Sequence, residues 1–496
     1  MFTENRSVQI RRELIKKITK LFFAGEIEQK ADKIAVEMFP KHSESPRCCI
    51  YKARAIVKYR LMALFGIGDE EETDETASLA HYYKNALIEG NIKHPLLTVI
   101  DEACSSCVKI NYFATNACRG CVARPCISAC PKDAIHINAG QSVIDSKKCV
   151  NCGKCMKVCP YHAIVYIPVP CEEACPVNAI SKNEHQKECI DFSKCIYCGK
   201  CINKCPFGAI MEKSQILDAL NAIRSGAKVI AMLAPSVMGH FDAPLGKIAA
   251  AVKKIGFYGA VEVASGADLT SENEALEFIE RIGSGESFIT SSCCYSYIEL
   301  IEKHIPGLKR HFSTTKTPMI FSAELVKKEH PDAVTVFISP CVSKKSEALK
   351  SGEVDFVLSI EELGSIMEAL DIAPENCEEE LIEKPATPRG RGFAASGGVM
   401  AAMDKVIRSR ADAAKISGAE EGGRNDGAAP EIAPIYINGI SRQSIKELKG
   451  YAENGCGKSN FIEVMSCEGG CVNGPCVINP PIIAQRKYKE FNEVKI

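Results

Sequence analysis

Residues 149–160 read Cys-Val-Asn-Cys-Gly-Lys-Cys-Met-Lys-Val-Cys-Pro, and residues 195–206 read Cys-Ile-Tyr-Cys-Gly-Lys-Cys-Ile-Asn-Lys-Cys-Pro. Both are C-x2-C-x2-C-x3-C-P: Cys149, Cys152, Cys155 and Cys159 before Pro160, then Cys195, Cys198, Cys201 and Cys205 before Pro206. Cys118, Cys121, Cys126 and Cys130, before Pro131, form a variant with a wider middle gap. Three close thiolates can wrap three corners of an iron–sulfur cubane, and the fourth, before proline, ligates the partner cluster. The rule therefore joins Cys149, Cys152 and Cys155 with Cys130, and Cys118, Cys121 and Cys126 with Cys159. A third cluster takes Cys195, Cys198 and Cys201 with Cys175, which precedes Pro176. Cys205 and Cys171 remain for a fourth cluster whose other ligands the spacing does not specify. Val165 and Pro168 stand where a complete motif would carry cysteines upstream of Cys171. Cys104, Cys107 and Cys189 stay unassigned. Zinc is the competing occupant, but zinc sites usually join two C-x-x-C knuckles across a longer gap. A four-cysteine run ending in proline is far more specific for iron–sulfur.

The whole chain has 496 residues and 27 cysteines. Disulfide scaffolds are small, secreted chains, so thiolates binding metal in a reducing compartment fit this length better. The formal net charge is −1, with 61 basic and 62 acidic residues, which gives no electrostatic reason for nucleic acid or an anionic membrane as partner. No apolar run approaches the roughly 18 residues of a membrane helix, and the N-terminus lacks a signal-peptide core, so the expected location is cytoplasmic.

The expected fold is multidomain, α+β and α/β. Residues 1–95 read as a helical N-terminal region, with helical spacing over Val8–Phe23 and Ala53–Gly66. Cys48 and Cys49 lie between those stretches with no role assigned, and the acidic run Asp69–Glu75 reads as a solvated linker. Residues 96–212 hold seventeen of the nineteen cysteines that precede residue 213, a core built around inorganic clusters. This block resembles bacterial two-cluster ferredoxins, which implies low-potential one-electron transfer. Residues 213–496 read as an α/β catalytic domain, with buried strands at Val229–Leu233, Ala260–Ala264, Phe288–Ile289, Val334–Ile338, Ile435–Ile437 and Phe461–Val464. Residues 411–431, rich in Ala, Gly, Glu and Asp, read as a flexible surface insertion.

Open α/β sheets place ligands at the carboxyl ends of their strands. Four loops in those positions carry unusual chemistry: Leu233–Ser236, Thr290–Tyr295, Ser339–Glu347 and Glu463–Gly474. Four cysteines from three distant loops can make one buried cubane that lacks ferredoxin spacing. The glycine pair before Cys471 lets the backbone approach something bulky.

With these loops, residues 213–480 resemble the catalytic domain of iron–iron hydrogenases. Cys-Cys-Tyr-Ser-Tyr at 293–297 and Gly-Pro-Cys at 474–476 resemble the group B, monomeric branch. The resemblance implies an H-cluster: a cubane held by Cys294, Cys341, Cys467 and Cys471, with Cys471 bridging to a two-iron unit that carries carbon monoxide, cyanide and an azadithiolate amine. Lys344 would hydrogen-bond one cyanide, the Pro235–Ser236 loop would cradle the other, and Phe393, Ser396–Met400 and Met465 would wall the site. Cys293 would exchange a proton with the amine, and Glu274, Ser313, Glu277 and Arg281 would carry it onward, with Glu347 a weaker candidate. Read without the family, Ser271 and Glu274 have capping-box spacing, and Glu277–Arg281 is an ordinary i,i+4 ion pair. Ser339 and Met319 stand where family members usually carry methionine and glutamine.

The implied activity is reversible interconversion of H2 with protons and electrons, the electrons passing through three or four accessory 4Fe–4S clusters to or from ferredoxin or a similar soluble carrier. The implied partners also include maturation proteins for the two-iron unit, and the chain would act as a monomer. Two other readings compete. A hydrogen sensor would use the same cluster at low turnover, but such members usually append a signalling domain. An assembly protein lacking the two-iron unit would not need Cys293 or Lys344.

Overall fold

The computed structural model describes residues 5–105, 107, 111–382, 385–417 and 430–493. The helix Arg6–Ala24 starts where Asn5 accepts the Ser7 N–H at 3.0 Å and stops at Gly25, in the left-handed region at φ 69°. Its apolar residues Leu14, Ile15, Ile18 and Phe22 share one buried stripe. The helix packs on Ile360–Ala369 of the catalytic region. Arg11 and Arg12 both grip the buried Glu361, Arg12 Nε at 3.1 Å, and Arg12 also donates to the carbonyls of Val477 and Ile478 at 3.2 Å each. The second helical stretch spans Ile50–Leu64, and Cys49 caps it by accepting the Lys52 N–H at 3.5 Å.

The acidic run is solvated in part, with Glu70, Glu71, Asp74 and Glu75 exposed, but it is folded and paired rather than a free linker. Asp69–Glu71 forms a 3-10 turn, and Glu70 and Glu71 pair with Lys213 Nζ at 3.1 and 3.0 Å. Glu72 accepts from Lys58 at 2.7 Å and from the Tyr59 hydroxyl at 2.8 Å. Lys213 is fully buried, and a buried ammonium needs countercharges, which recruits the run.

Eight short strands build the cysteine-rich region: β1 (Leu97–Val99), β2 (Tyr112–Ala114), β3 (Ile135–Asn138), β4 (Gln141–Ile144), β5 (Ile164–Tyr166), β6 (Ile180–Lys182), β7 (Glu188–Ile190) and β8 (Ile210–Glu212). They pair antiparallel as β3–β4, β2–β5, β6–β7 and β1–β8. The β1–β8 pair thus encloses, in chain order, everything between Val99 and Ile210.

The α/β region holds β9 (Val229–Leu233), β10 (Gly259–Glu262), β11 (Ile289–Thr290), β12 (Val334–Ser339), β13 (Phe356–Ser359), β14 (Pro434–Asn438) and β15 (Phe461–Met465). They form two parallel sheets, ordered β10-β9-β12-β13 and β11-β15-β14. The expected strand at 260–264 ends at Glu262, because Val263 already opens the helix Val263–Gly283. β11 runs one residue later than expected, and β13, Phe-Val-Leu-Ser, was not foreseen. The helix Gly398–Ser417 covers the first part of the expected insertion, and 418–429 lie outside the described residues.

Removing Glu361 leaves two guanidiniums facing each other without their shared carboxylate. Glu361→Ala should lower the free energy of opening the helix Arg6–Ala24 by about 3 kcal/mol, the usual cost of orphaning one side of a buried pair. Hydrogen exchange of that helix's amides measures it, and unchanged protection would show that apolar packing alone holds the helix.

Candidate active site

The strand ends place the chemistry. Cys293 and Cys294 follow β11, Cys341 follows β12, Cys467 and Cys471 follow β15, and Pro235–Ser236 follows β9. All are C-terminal ends of parallel strands, so these loops open toward one another. Burial raises the Cys294 thiol first, and the neighbouring Cys341 adds to it, while the N–H groups of Ser466 and Tyr297 point at its sulfur. Burial, then Cys341, Cys471 and Cys294, hold Cys467 far above the usual thiol range. Burial with Cys294 and Cys341 pushes Cys471 up to about 12. The four thiols, each partly buried, therefore form one mutually interacting set, a donor set of the kind a cubane takes.

Lys344 belongs to the same locus. Burial lowers its ammonium's pKa, but Glu347, Cys341 and Cys293 outweigh that and hold it charged. Its Nζ meets Glu347 Oε2 at 2.5 Å, and Glu347 also accepts from the Thr317 hydroxyl. Glu347 is thus the counterion of Lys344. Ser236 Oγ and Ser466 Oγ are buried with no hydrogen-bond partner. Buried hydroxyls rarely stay unpaired, so these two suit a polar group bound between the loops. Phe393, Met465 and Val399 form one apolar cluster against which Cys293, Cys471 and Met400 pack.

Gly470 sits at φ 98°, where a Cβ would come within 2.4 Å of the Ala394 carbonyl oxygen. What it approaches is the wall segment Ala394–Ser396. Glu463 holds the next part of that wall: its carboxylate accepts the Gly397 N–H at 2.6 Å and the Met400 N–H at 2.9 Å. Burial raises it to about 7. Sequence reasoning assigned Glu463 no role, although a lone acid inside Phe461–Met465 was the available signal. Of the two departures, Ser339 Oγ accepts the Cys341 N–H at 3.1 Å, and Met319 packs in the core with Met232 and Ala234.

Behind Cys293 runs a chain of titratable groups. Burial and the charge of Glu274 keep the Cys293 thiol protonated well above its usual range. Glu274 is fully buried in mid-helix, so it is no capping-box partner; Ser292 N donates to its Oε1 at 3.2 Å and its Oε2 has no partner. Burial dominates and pushes Glu274 up to about 8. Ser313 Oγ donates to Glu277 Oε2 at 2.7 Å, and Arg281 Nη1 meets Glu277 Oε1 at 2.9 Å. Burial would raise Glu277, but the Thr314 N–H, Ser313, Arg281 and Thr315 outweigh it and hold its carboxyl below the usual range. Two carboxyls one helical turn apart therefore favour opposite protonation states.

The ferredoxin-type region meets this site through Cys198. Burial, with Cys175 and Cys341 adding, raises its thiol to about 11, and Cys198 and Cys467 line one cleft. Gly199 makes the approach possible, since a Cβ there would lie 2.5 Å from Pro475 Cγ. Lys303 Nζ donates to the Cys195 carbonyl at 2.6 Å, and Asn203 Nδ2 to the Pro475 carbonyl at 2.7 Å. Farther out, Cys118, Cys121, Cys126 and Cys159 line one pocket. Among the described residues, no three His, Cys, Asp or Glu side chains converge tightly enough for one metal ion. Thiols spread around a cavity suit a multi-iron cluster better than one tetrahedral zinc. Among the described residues, no helix is long and apolar enough to cross a membrane.

Residues 227–475 match a family described as "Iron only hydrogenase large subunit, C-terminal domain". Residues 142–165 match a 4Fe-4S binding domain, and 165–216 match the LdpA Fe-S cluster-binding domain. Iron hydrogenase 1 of Clostridium pasteurianum is 30% identical over 376 residues, covering 67% of this chain and 64% of that protein. The Periplasmic [Fe] hydrogenase large subunit of Nitratidesulfovibrio vulgaris is 29% identical over 289 residues, covering 50% of this chain and 68% of that one. The solved [FeFe]-hydrogenase HydA(deltaEFG) superposes with a TM-score of 0.46 at 23% identity, covering 56% of this chain and 88% of that one. The chain thus spans a little under two thirds of the Clostridium pasteurianum relative's length. With its family match extending over half of its residues, from the strand that opens the first parallel sheet to Pro475, the chain belongs to the iron-only hydrogenases.

Proposed function

We propose that the chain interconverts H2 with protons and electrons in the cytoplasm. The observation that carries this reading is the meeting of Cys294, Cys341, Cys467 and Cys471 with Lys344 and the unpaired Ser236 hydroxyl, beside Cys293. The four cysteines would hold the H-cluster cubane, with Cys471 shared with the two-iron unit that maturation proteins insert. When bound, that unit supplies the metal and the bridging amine at which H2 is cleaved or formed. Lys344, a buried cation, would orient it through one cyanide, and the Pro235–Ser236 loop through the other. Phe393 and Met465 exclude water from its surroundings. Cys293 is left free of iron by Cys294 and would hand protons to Glu274. Ser313 and Glu277 would pass them to Arg281 at the surface side. Electrons would leave through the cluster bound by Cys195, Cys198, Cys201 and Cys175, which faces Cys341 and Cys467.

The outlet for electrons fits the segment from β2 to β5. It carries Arg119, Arg124, Lys132, Lys147, Lys148, Lys154 and Lys157 against only Asp133 and Asp145, within a chain of net charge −1. Val122, Val150 and Tyr161 are exposed there. A basic surface with apolar spots, set around the clusters of Cys118–Cys159, suits an acidic ferredoxin.

Anaerobic infrared spectroscopy of the matured protein should show metal-bound carbon monoxide and cyanide bands, with H2 evolution from reduced ferredoxin. Cys293→Ala should keep those bands and cut turnover at least ~100-fold, since positioned proton transfer is worth that much. Normal turnover would remove Cys293 from the proton route.

Glu274, held up to about 8, carries its proton at neutral pH and loses it as pH rises through that value, whereas Glu277 stays ionised. A protonated-carboxyl infrared band should therefore vanish in Glu274→Gln and persist in Glu277→Gln. The alkaline fall in H2 evolution near pH 8 should vanish with it. Loss of the band in Glu277→Gln instead would reverse the order of the relay.

Docking of an acidic carrier to the basic segment should weaken with salt. Lys147→Glu with Lys148→Glu should raise the KM for ferredoxin about tenfold at low ionic strength. Turnover with a small uncharged dye should not change. An unchanged ferredoxin KM would place docking elsewhere.

A further inference from the structure

Four cysteine–proline loops in this chain have the same construction. The Ala134, Ala163, Ala179 and Ala209 N–H groups donate to the sulfurs of Cys130, Cys159, Cys175 and Cys205 at 3.3, 3.4, 3.2 and 3.4 Å. The third residue after each cysteine (Asp133, His162, Asn178 and Gly208) has φ of 45°, 50°, 51° and 57°. Each loop then enters a strand: β3, β5, β6 and β8. N–H groups aimed at sulfur favour the thiolate, the form that binds iron. Three of these loops serve the clusters already assigned. Cys205, built the same way, has no partner ligands among them.

The strand pairing supplies those partners. Residues 112–166 and the flanking residues repeat one plan. Thr115 N donates to the Ala163 carbonyl at 2.7 Å, and Ile100 N to the Ala209 carbonyl at 2.8 Å. Asp145 N donates to Ala134 O and Asp191 N to Ala179 O, both at 2.7 Å. The short helices Pro125–Ser128 and Pro170–Ala174 each open with proline directly before a cysteine, Cys126 and Cys171. By this correspondence Cys171 and Cys175 match Cys126 and Cys130. The counterparts of Cys118 and Cys121, another C-x2-C pair, are Cys104 and Cys107, on the far side of the inner unit.

We infer that Cys104, Cys107, Cys171 and Cys205 bind a fourth accessory 4Fe–4S cluster, in an outer two-cluster ferredoxin whose first motif is split by a complete inner one. These four side chains line one pocket, walled by Val99, Pro170, Phe207 and Ile210. Cys118, Cys121, Cys126 and Cys159 likewise line one pocket. The helical N-terminal region closes the outer site. Arg47 donates to the carbonyls of Ala103 at 3.1 Å and Phe207 at 2.7 Å, and Arg60 to those of Phe207 and Gly208 at 3.1 Å each. Arg47 thus ties the Cys104 loop to the Cys205 loop, Arg60 holds the Cys205 loop alone, and both guanidiniums set positive charge beside the thiols. Since Cys171 and Cys175 share one turn, this cluster is the neighbour of the one facing the active site. The assignment is independent of the reaction: a chain without hydrogenase activity would still carry it.

The test is iron and sulfide analysis of the anaerobically purified full chain, with spin quantitation by EPR after reduction. The wild type should hold four accessory cubanes. Cys107→Ala should lose one cubane's iron and sulfide and the matching spin, while the H-cluster infrared bands persist. Cys189→Ala, an exposed cysteine of the same region whose sulfur faces the Ser181 carbonyl, should lose nothing. A full iron content in Cys107→Ala would overturn the assignment. If that variant does not accumulate, the wild-type count decides alone: three accessory cubanes, or zinc in place of the fourth, would overturn it.

Discussion

A cubane needs thiolates at four corners, and no short loop in this chain supplies all of them. Each cluster therefore ties together chain segments that are distant in sequence, and that requirement organises the cysteine-rich region more than any apolar core does. Cys159 lines one pocket with Cys118, Cys121 and Cys126, more than thirty residues earlier in the chain. In the catalytic region the same demand is met differently. Parallel strands bring Cys294, Cys341, Cys467 and Cys471 to one end of two sheets, so backbone topology does what close spacing does elsewhere. Buried thiols resist ionisation, as the raised Cys467 and Cys471 show, so iron binding and burial must be achieved together.

Much of this was legible in the sequence, for a physical reason. Three of the four ligands of a ferredoxin-type cluster are local, so their spacing is written in the chain, and the strands that carry the active-site loops are apolar runs of ordinary length. What was not legible depended on long-range charge. The run Asp69–Glu75 has the composition of a solvated linker, and only the buried Lys213, far along the chain, turns it into a folded turn. Glu463 was hidden in the same way, because its role lies in the backbone N–H groups of Gly397 and Met400. The roles of Cys104 and Cys107 were invisible for a different reason: their motif is interrupted, and spacing rules read only contiguous text.

The site also shows how neighbouring carboxyls acquire different duties. Glu274 and Glu277 lie one turn apart on one helix, yet one is fully buried with a single backbone N–H on its carboxyl while the other collects hydroxyls, an N–H and a guanidinium. Their opposite preferences need no special residue type, only unequal company. A similar asymmetry marks the lysines after Cys341. Lys344 faces the cysteines and Glu347, while Lys345, on the next residue, turns away to pair with Glu212 at 3.0 Å and to donate to the Lys213 carbonyl at 2.9 Å. Adjacent residues thus serve the metal site and the seam between regions.

The enclosure of β2–β5 by β1 and β8 has a consequence for synthesis on the ribosome. β1 emerges early but finds its partner only when β8, past residue 210, leaves the exit tunnel. The inner unit, complete by Tyr166, has all of its strands long before then. Domains generally fold as units in the order in which they emerge. The inner unit is therefore in a position to fold and take up iron first, while Leu97–Val99 and the helices before it wait as nascent chain. Partner strands thereby become available from the inside outward, and the β1–β8 pair can close only after the inner unit has emerged.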